Sequence, residues 1–333
     1  MTPRPQSSDP STPRTIGVID IGTNSVKLAV GYVSNGRVVY TYTARQPTRI
    51  GKGLTSTGKI DTNVLRYTVR AVSRFAIDAR RRGAVEVTAV GTFALRTATN
   101  GKAAARAISA SAGVPVKILT GSEEASMVVR SVQARLRPRR DLMVLDIGGG
   151  SAELIVTRGQ RAVLARSVPL GAVRLTEQFL HHDPIAPDEY LRMNEHIERA
   201  VMRLFTRVDA RDFDLVVSGG TATTALSMLG LGSSDRGSSV KVAMLSELEA
   251  RCVGSTVAER KLFPGLPPDR ADIMPAGLAV LLVFAHHARK RSLRLIEGGV
   301  RDGVMLEMAE KAPRSRRQSG TTARSQAAAR KGR

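Results

Sequence analysis

One phrase occurs twice, in the same setting. The apolar run Thr15–Ile21 leads into Asp20-Ile21-Gly22-Thr23-Asn24-Ser25, and the run Leu142–Ile147 leads into Asp146-Ile147-Gly148-Gly149-Gly150-Ser151. In each copy a glycine follows the aspartate by two positions and a serine by five, and the chain then enters a second apolar run. A single β-turn favours Asp, Gly, Asn and Ser for reasons of its own. Two copies at equal internal offsets, each opening a three-strand meander, predict duplicated loops that face one another across a cleft. Glycine lets backbone N–H groups approach an anion closely, and hydroxyls add further donors. An aspartate at the strand end suits a divalent cation, which prefers carboxylate, water and phosphate oxygens together.

The pattern around the phrases predicts two α/β halves. In the first, strands are expected at Thr15–Ile21, Val26–Val33 and Arg37–Thr43, with Asn35-Gly36 as a hairpin turn. A helix over 63–82, strand 85–90, helix 101–112, strand 116–119 and helix 122–136 follow. Pro138, within 137–140, marks a boundary. The second half repeats the meander over 142–147, 152–157 and 161–167, with Arg158-Gly159 at the second turn. Helices are then expected at 172–180 and 187–208, a strand at 215–217 and a helix from Thr221. Further helices near 246–253 and 270–289, strand 293–296 and a last helix over 301–310 complete it. The leader over 1–14, with four prolines, and the tail over 311–333 show no periodicity and are expected to be disordered.

Charge narrows the partners. Lys and Arg total 51 against 29 Asp and Glu, a formal net charge of +22, so polyanions are the expected ligands. The stretch Lys311–Arg333 holds eight basic residues and no acidic one, and serves as a solubilising extension or an electrostatic arm. No Trp, five Tyr and seven Phe leave few stacking platforms, which argues against nucleic acid as the main partner. A single cysteine excludes a disulfide framework and a thiolate zinc cluster. The longest apolar stretch, Gly277–Ala285, is too short to cross a bilayer, and no apolar segment of signal-peptide type follows the N-terminus. A cytoplasmic enzyme without a membrane partner is expected.

A third turn, Ser218-Gly219-Gly220-Thr221, leaves a strand and begins a helix, where orphan N–H groups favour anions. Together with both loops, Thr92–Arg96, Gly121-Ser122-Glu123-Glu124-Ala125 and Gly171-Ala172-Val173-Arg174-Leu175-Thr176-Glu177, it resembles the Ppx/GppA phosphatases, with the motifs in the same order from about residue 15 to 310. These are exopolyphosphatases and guanosine pentaphosphate phosphohydrolases. The resemblance implies two ribonuclease H-like domains of the actin/sugar-kinase/Hsp70 ATPase superfamily with an interdomain cleft. It implies a division into 15–136 plus 301–310 and 137–300, of the short two-domain type. Homodimers are a further implication.

The resemblance also implies roles. Glu124 is expected as catalytic base, with Glu123 the alternative, since a helix start carrying two carboxylates is equally a capping device. Arg96 is expected to bind phosphate, because a guanidinium fork matches two phosphate oxygens. Asp20, Asp146 and Glu153 are candidates for magnesium, with manganese as the alternative, and Glu153 also for positioning the water. Gly22, Thr23, Asn24, Ser25, Gly148, Gly149, Gly150, Ser151, Gly219, Gly220, Thr221 and Arg174 are expected around the phosphates. His181-His182 and His286-His287 lack metal spacing, Cys252 lacks the arginine of a cysteine phosphatase loop, and no Gly-x-x-x-x-Gly-Lys-Ser/Thr is present. The expected activity is release of terminal orthophosphate from inorganic polyphosphate. Alternatives are hydrolysis of the 5′-phosphate of pppGpp, a catalytically weak sensor of alarmone or polyphosphate, and an ATP-dependent kinase. ATP or (p)ppGpp as ligand fits any of these.

Overall fold

A computed structural model describes residues 13–136, 140–205, 213–232, 234 and 236–311. Most of the leader, residues 137–139 of the expected boundary, the end of the helix expected over 187–208, and the tail beyond Lys311 lie outside the described residues. No helix among the described residues is long and apolar enough to cross a membrane.

The first half runs β1 (Ile16–Ile21), β2 (Ser25–Ser34), β3 (Arg37–Pro47), α1 (Leu54–Thr57), α2 (Thr62–Arg81), β4 (Glu86–Gly91), α3 (Phe93–Thr97), α4 (Gly101–Ala112), β5 (Val116–Ile118) and α5 (Gly121–Leu136). Its sheet has the order β3-β2-β1-β4-β5. The meander is antiparallel, and β1, β4 and β5 are parallel. The second half runs β6 (Leu142–Ile147), β7 (Ala152–Arg158), β8 (Arg161–Val168), α6 (Ala172–Phe179), α7 (Pro187–Phe205), β9 (Asp214–Ser218), α8 (Gly219–Met228), β10 (Ser238–Lys241), α9 (Val242–Val253), α10 (Val257–Arg260), α11 (Met274–His287), β11 (Ser292–Leu295) and α12 (Val300–Lys311). Its sheet, β10-β11-β9-β6-β7-β8, repeats the first order and adds β10 as an antiparallel edge. Both second strands even bulge at matching places, between Val30 and Gly31 and between Val156 and Thr157.

Strand alternation decides where the chemistry goes, because successive side chains leave opposite faces. On β1, Ile19 and Ile21 join the core under the helices of the first half, whereas Ile16 and Val18 join a middle cluster. On β6, Met143, Leu145 and Ile147 join the core of the second half, whereas Leu142 and Val144 join the same middle cluster. That cluster draws from both sheets and from the packed pair α5 and α12. Asp20 and Asp146 have the parity of the middle face. So do Lys27, beside Ala29 of β2, and Glu153, beside Ile155 of β7. Buried on both faces, β1 and β6 read as continuous apolar runs interrupted only by their aspartates.

Where sequence and structure differ, the cause is local. The helix expected from Arg270 begins at Met274, preceded by a 3-10 turn over Pro268–Arg270, so Arg270 lies outside it. Pro275 in the first turn suits that start, since its missing N–H costs nothing there. The edge strand β10 was not expected. Its Ser-Ser-Val-Lys sequence has one buried residue, Val240, and no alternation that the eye can use.

Candidate active site

The cleft between the sheets encloses about 720 Å³ out to its open mouth, and both repeated loops line it. The loops are built alike. Gly22 N donates to Ser25 O at 3.1 Å, and Gly148 N donates to Ser151 O at 3.0 Å. They also touch, since a Cβ on Gly149 would lie 3.1 Å from Thr23 Cβ and 3.3 Å from the Asn24 nitrogen. The Asn24 side chain is buried at the bottom with no hydrogen-bond partner for either polar atom among the described residues. A buried amide left unpaired is costly, and a ligand that completes it recovers that cost.

Cα register pairs Asp20 with Lys27 in the first sheet and Asp146 with Glu153 in the second. The duplication thus places a cation and an anion at equivalent positions. Burial lowers the Lys27 ammonium to about 8, opposed by Asp20 and Asp146 and reinforced by Arg301 and Arg270. Burial likewise raises the carboxyls of Asp20 and Asp146. Ser218 Oγ donates to Asp146 Oδ1 at 2.5 Å, which ties the third turn to the second loop. Glu153 is fully buried. Ser151 Oγ and Ser167 Oγ donate to its Oε1 at 2.7 and 2.8 Å, while Oε2 has no partner among the described residues. Its carboxyl is raised well above the usual range by burial, then by the charges on Glu124 and Asp146.

The Glu123-Glu124 pair divides into two tasks. Thr120 precedes α5, and Glu123 N donates to its Oγ1 at 3.2 Å while Glu123 Oε2 accepts from Thr120 N at 2.8 Å. This is a capping box. Lys117 and the Thr120 bonds hold Glu123 down at about 2. Glu124, one residue on, turns into the cleft and is 6% exposed. Burial pushes it up to about 7, despite the Arg96 Nη1 bond to Oε2 at 2.7 Å and helped by Asp146 and Asp20.

Some expected residues stand back from the cleft. Arg96 gives its Nη1 to both Glu124 and the Leu119 carbonyl, at 2.7 and 2.9 Å, so it holds Glu124 rather than lining the wall. Arg174 lies 5.8 Å from the Phe93 ring centroid, as does Arg96. Gly219 and Gly220 line the cleft, whereas the Thr221 hydroxyl faces Gly277 of α11, where a Cβ would come within 2.5 Å of it. Cys252 is fully buried, and burial pushes its thiol up to about 11, which leaves no nucleophile there.

Three cations in the cleft wall escaped the sequence. Lys27 had a signal, its offset from Asp20 being that of Glu153 from Asp146. Arg301, in the first turn of α12, donates to the Leu28 carbonyl at 3.0 Å. Arg270 donates to the Gly220 carbonyl and, at 2.7 Å, to Thr224 Oγ1; burial lowers it to about 10. Four carboxyl groups therefore meet three cations in the cleft wall, with Arg96 behind Glu124, and the cations offset the repulsion that the acids would otherwise suffer.

Among the described residues no three His, Cys, Asp or Glu side chains form a metal cage. Asp20 Oδ1, which has no hydrogen-bond partner among the described residues and is buried near Asp146 across the cleft, fits a cation held by one or two carboxylates together with water and substrate phosphate, which is how magnesium is usually bound.

The raised carboxyls have a consequence for stability. A carboxyl whose folded pKa exceeds its unfolded value favours folding while protonated, and stability falls as pH rises through that window. Glu153→Gln keeps an acceptor for both serines and removes the charge. It is expected to raise Tm by about 2–4 °C near pH 8, the shift that ~1 kcal/mol produces in a domain of this size, and to change little near pH 5. Calorimetry without divalent cations reads this. A lowered Tm at the higher pH would contradict a buried, uncompensated charge.

The Ppx/GppA phosphatase family model matches residues 33–312. A Haemophilus influenzae protein provisionally named an exopolyphosphatase is 24% identical over 296 residues, 89% of this chain and 91% of its own. The crystal structure of an exopolyphosphatase from Cytophaga hutchinsonii superposes with a TM-score of 0.81 at 24% identity, covering 89% of this chain and 98% of that one. The Aquifex aeolicus member of the Ppx/GppA family gives a TM-score of 0.76 at 24% identity, covering 91% of this chain and all of that one. These likenesses establish the fold.

Proposed function

The chain belongs to the Ppx/GppA phosphatase family, and from that premise we propose that it removes terminal orthophosphate from inorganic polyphosphate, with Glu124 as the base. The observation that carries the reading is a carboxyl raised to about 7, buried in a cleft that also holds the two repeated glycine-containing loops and three cations. A base with a pKa near the working pH combines a useful ionised fraction with proton affinity.

The residues divide the work. Gly22–Ser25 and Gly148–Ser151 grip the terminal phosphoryl group, and Asn24 completes its hydrogen bonds on it. Lys27, Arg270 and Arg301 offset the charge of the chain end, and Arg96 aims Glu124. Glu124 takes a proton from a water in line with the anhydride bond. The water oxygen bonds to phosphorus, the bridging P–O bond breaks, and the chain shortened by one phosphate leaves with the electron pair. Asp20 and Asp146, with Glu153 behind, would hold magnesium or manganese, which supplies further charge neutralisation when bound.

The pH dependence tests the base. With Glu124 near 7 and Lys27 near 8, kcat/KM for polyphosphate is expected to fall tenfold per unit below about 7 and to decline above about 8. A profile flat from 5 to 9 would refute the assignment.

A further inference from the structure

Outside the catalytic cleft, the two halves are joined across its rim by charge. Arg45 on β3 forms a two-pronged pair with Asp269, Nη1 to Oδ2 at 2.7 Å and Nη2 to Oδ1 at 2.6 Å. Arg49 does the same with Asp272, Nη1 to Oδ2 at 2.7 Å and Nη2 to Oδ1 at 2.8 Å. Its Nη2 also donates to the Asp269 carbonyl at 2.9 Å, so both guanidinium groups meet at one residue. Gly53 N donates to Glu177 Oε1 of α6 at 3.1 Å, a third tie across the same gap.

This cluster is coupled to the phosphate loop. Arg45 Nη1 also donates to Ser25 Oγ at 3.1 Å. Arg49 N donates to Asn24 O and Gly51 N to Thr23 O, at 2.9 and 3.0 Å. Arg49 keeps this position with a φ of 50°, in the left-handed region that a residue with a Cβ seldom adopts. On the other side, Arg270 of the cleft wall lies between Asp269 and Asp272 in sequence. The pairs are not sealed: side-chain exposures are 31% and 24% for Arg45 and Asp269, and 35% and 29% for Arg49 and Asp272. The guanidinium groups are therefore open to solvent on one side, where an anion of higher charge can compete with the carboxylates for them. Phosphate oxygens suit the guanidinium fork as well as a carboxylate does, and successive phosphates of a polymer bind without a second association cost.

We propose that Arg45 and Arg49 are an entry subsite for the internal phosphates of a long polyphosphate chain, occupied by Asp269 and Asp272 until the chain displaces them. This rests on the exopolyphosphatase reading and adds a chain-length determinant to it. With one phosphate gripped by the loops, a chain of three leaves two for the arginines, whereas a long chain keeps them supplied with internal phosphates throughout.

The subsite and a plain structural latch predict opposite signs for the acidic partners. KM is measured at fixed ionic strength for tripolyphosphate and for a chain of roughly one hundred phosphates. Arg45→Ala with Arg49→Ala is expected to raise KM for the long chain about tenfold more than for tripolyphosphate, the loss of a charge-assisted contact. Asp269→Asn with Asp272→Asn is expected to lower KM for the long chain, because the arginines no longer need to be released. If the aspartate changes raise KM as the arginine changes do, or if both substrates shift alike, the pairs are only a latch and the proposal fails. Binding of the long chain to the same variants in a Glu124→Gln background, followed by titration calorimetry, keeps the two readings apart. Absence of turnover in the unsubstituted protein removes the exopolyphosphatase reading, while the opposite shifts in affinity still decide the subsite.

Discussion

Glu124→Gln is expected to lower phosphate release by about two to four orders of magnitude, the usual contribution of a general base, while leaving the protein folded. The amide oxygen still accepts from Arg96, and a buried charge disappears, so Tm near pH 8 should not fall. Glu123→Gln gives the contrasting result. Glutamine still closes the capping box on Thr120, and only the surface pair with Lys117 is lost, so both Tm and turnover stay close to normal. Steady-state kinetics and thermal melts on the two variants, run together, distinguish the neighbours. Equal loss of turnover in both would put the base in doubt.

The second large effect comes from a residue with no polar side chain. Gly171 precedes α6 with φ −79° and ψ 149°, a conformation open to any residue. The obstacle is space. A Cβ there would lie 2.3 Å from both the nitrogen and the carbonyl carbon of Gly150 and 2.4 Å from the Gly149 carbonyl carbon. Neither side yields easily, since Ala172 N and Arg174 N donate to Gly148 O and Gly149 O at 3.0 and 3.1 Å. Gly171→Ala must therefore push the second loop, which shifts the phosphoryl cradle. A displacement of about 1 Å costs on the order of 10²-fold in rate, and the overpacking itself about 1–3 kcal/mol. Gly232→Ala is the control, because no atom lies within 4 Å of a Cβ there. Kinetics that remain normal in Gly171→Ala would show a loop far more yielding than its hydrogen bonds imply.

What the sequence made legible follows from how each feature is encoded. The meanders and both loops were readable because glycine turns and apolar runs are local signals, repeated at equal offsets around Asp20 and Asp146. The order of the strands in each sheet needed the structure, and β10 was missed altogether, since an edge strand with one buried side chain carries almost no pattern. The Glu123-Glu124 pair stood out in the sequence, but which of the two caps α5 and which faces the cleft needed coordinates, because only the turn of the helix separates them. Arg270 was invisible for a different reason. It reaches Gly220 and Thr224 from fifty and forty-six positions away, and nothing local announces so long a reach. Arg96 was singled out for its chemistry, yet its partner in the fold is Glu124.

The most direct test of the account compares magnesium-dependent orthophosphate release from long-chain polyphosphate and from pppGpp, side by side, with the full chain. Successive release of single phosphates from polyphosphate, at a higher kcat/KM than from pppGpp, is the predicted result. Turnover of pppGpp with polyphosphate left intact would contradict it and assign the cleft to the alarmone. Tight binding of either without release would make the protein a sensor and remove Glu124 from catalysis.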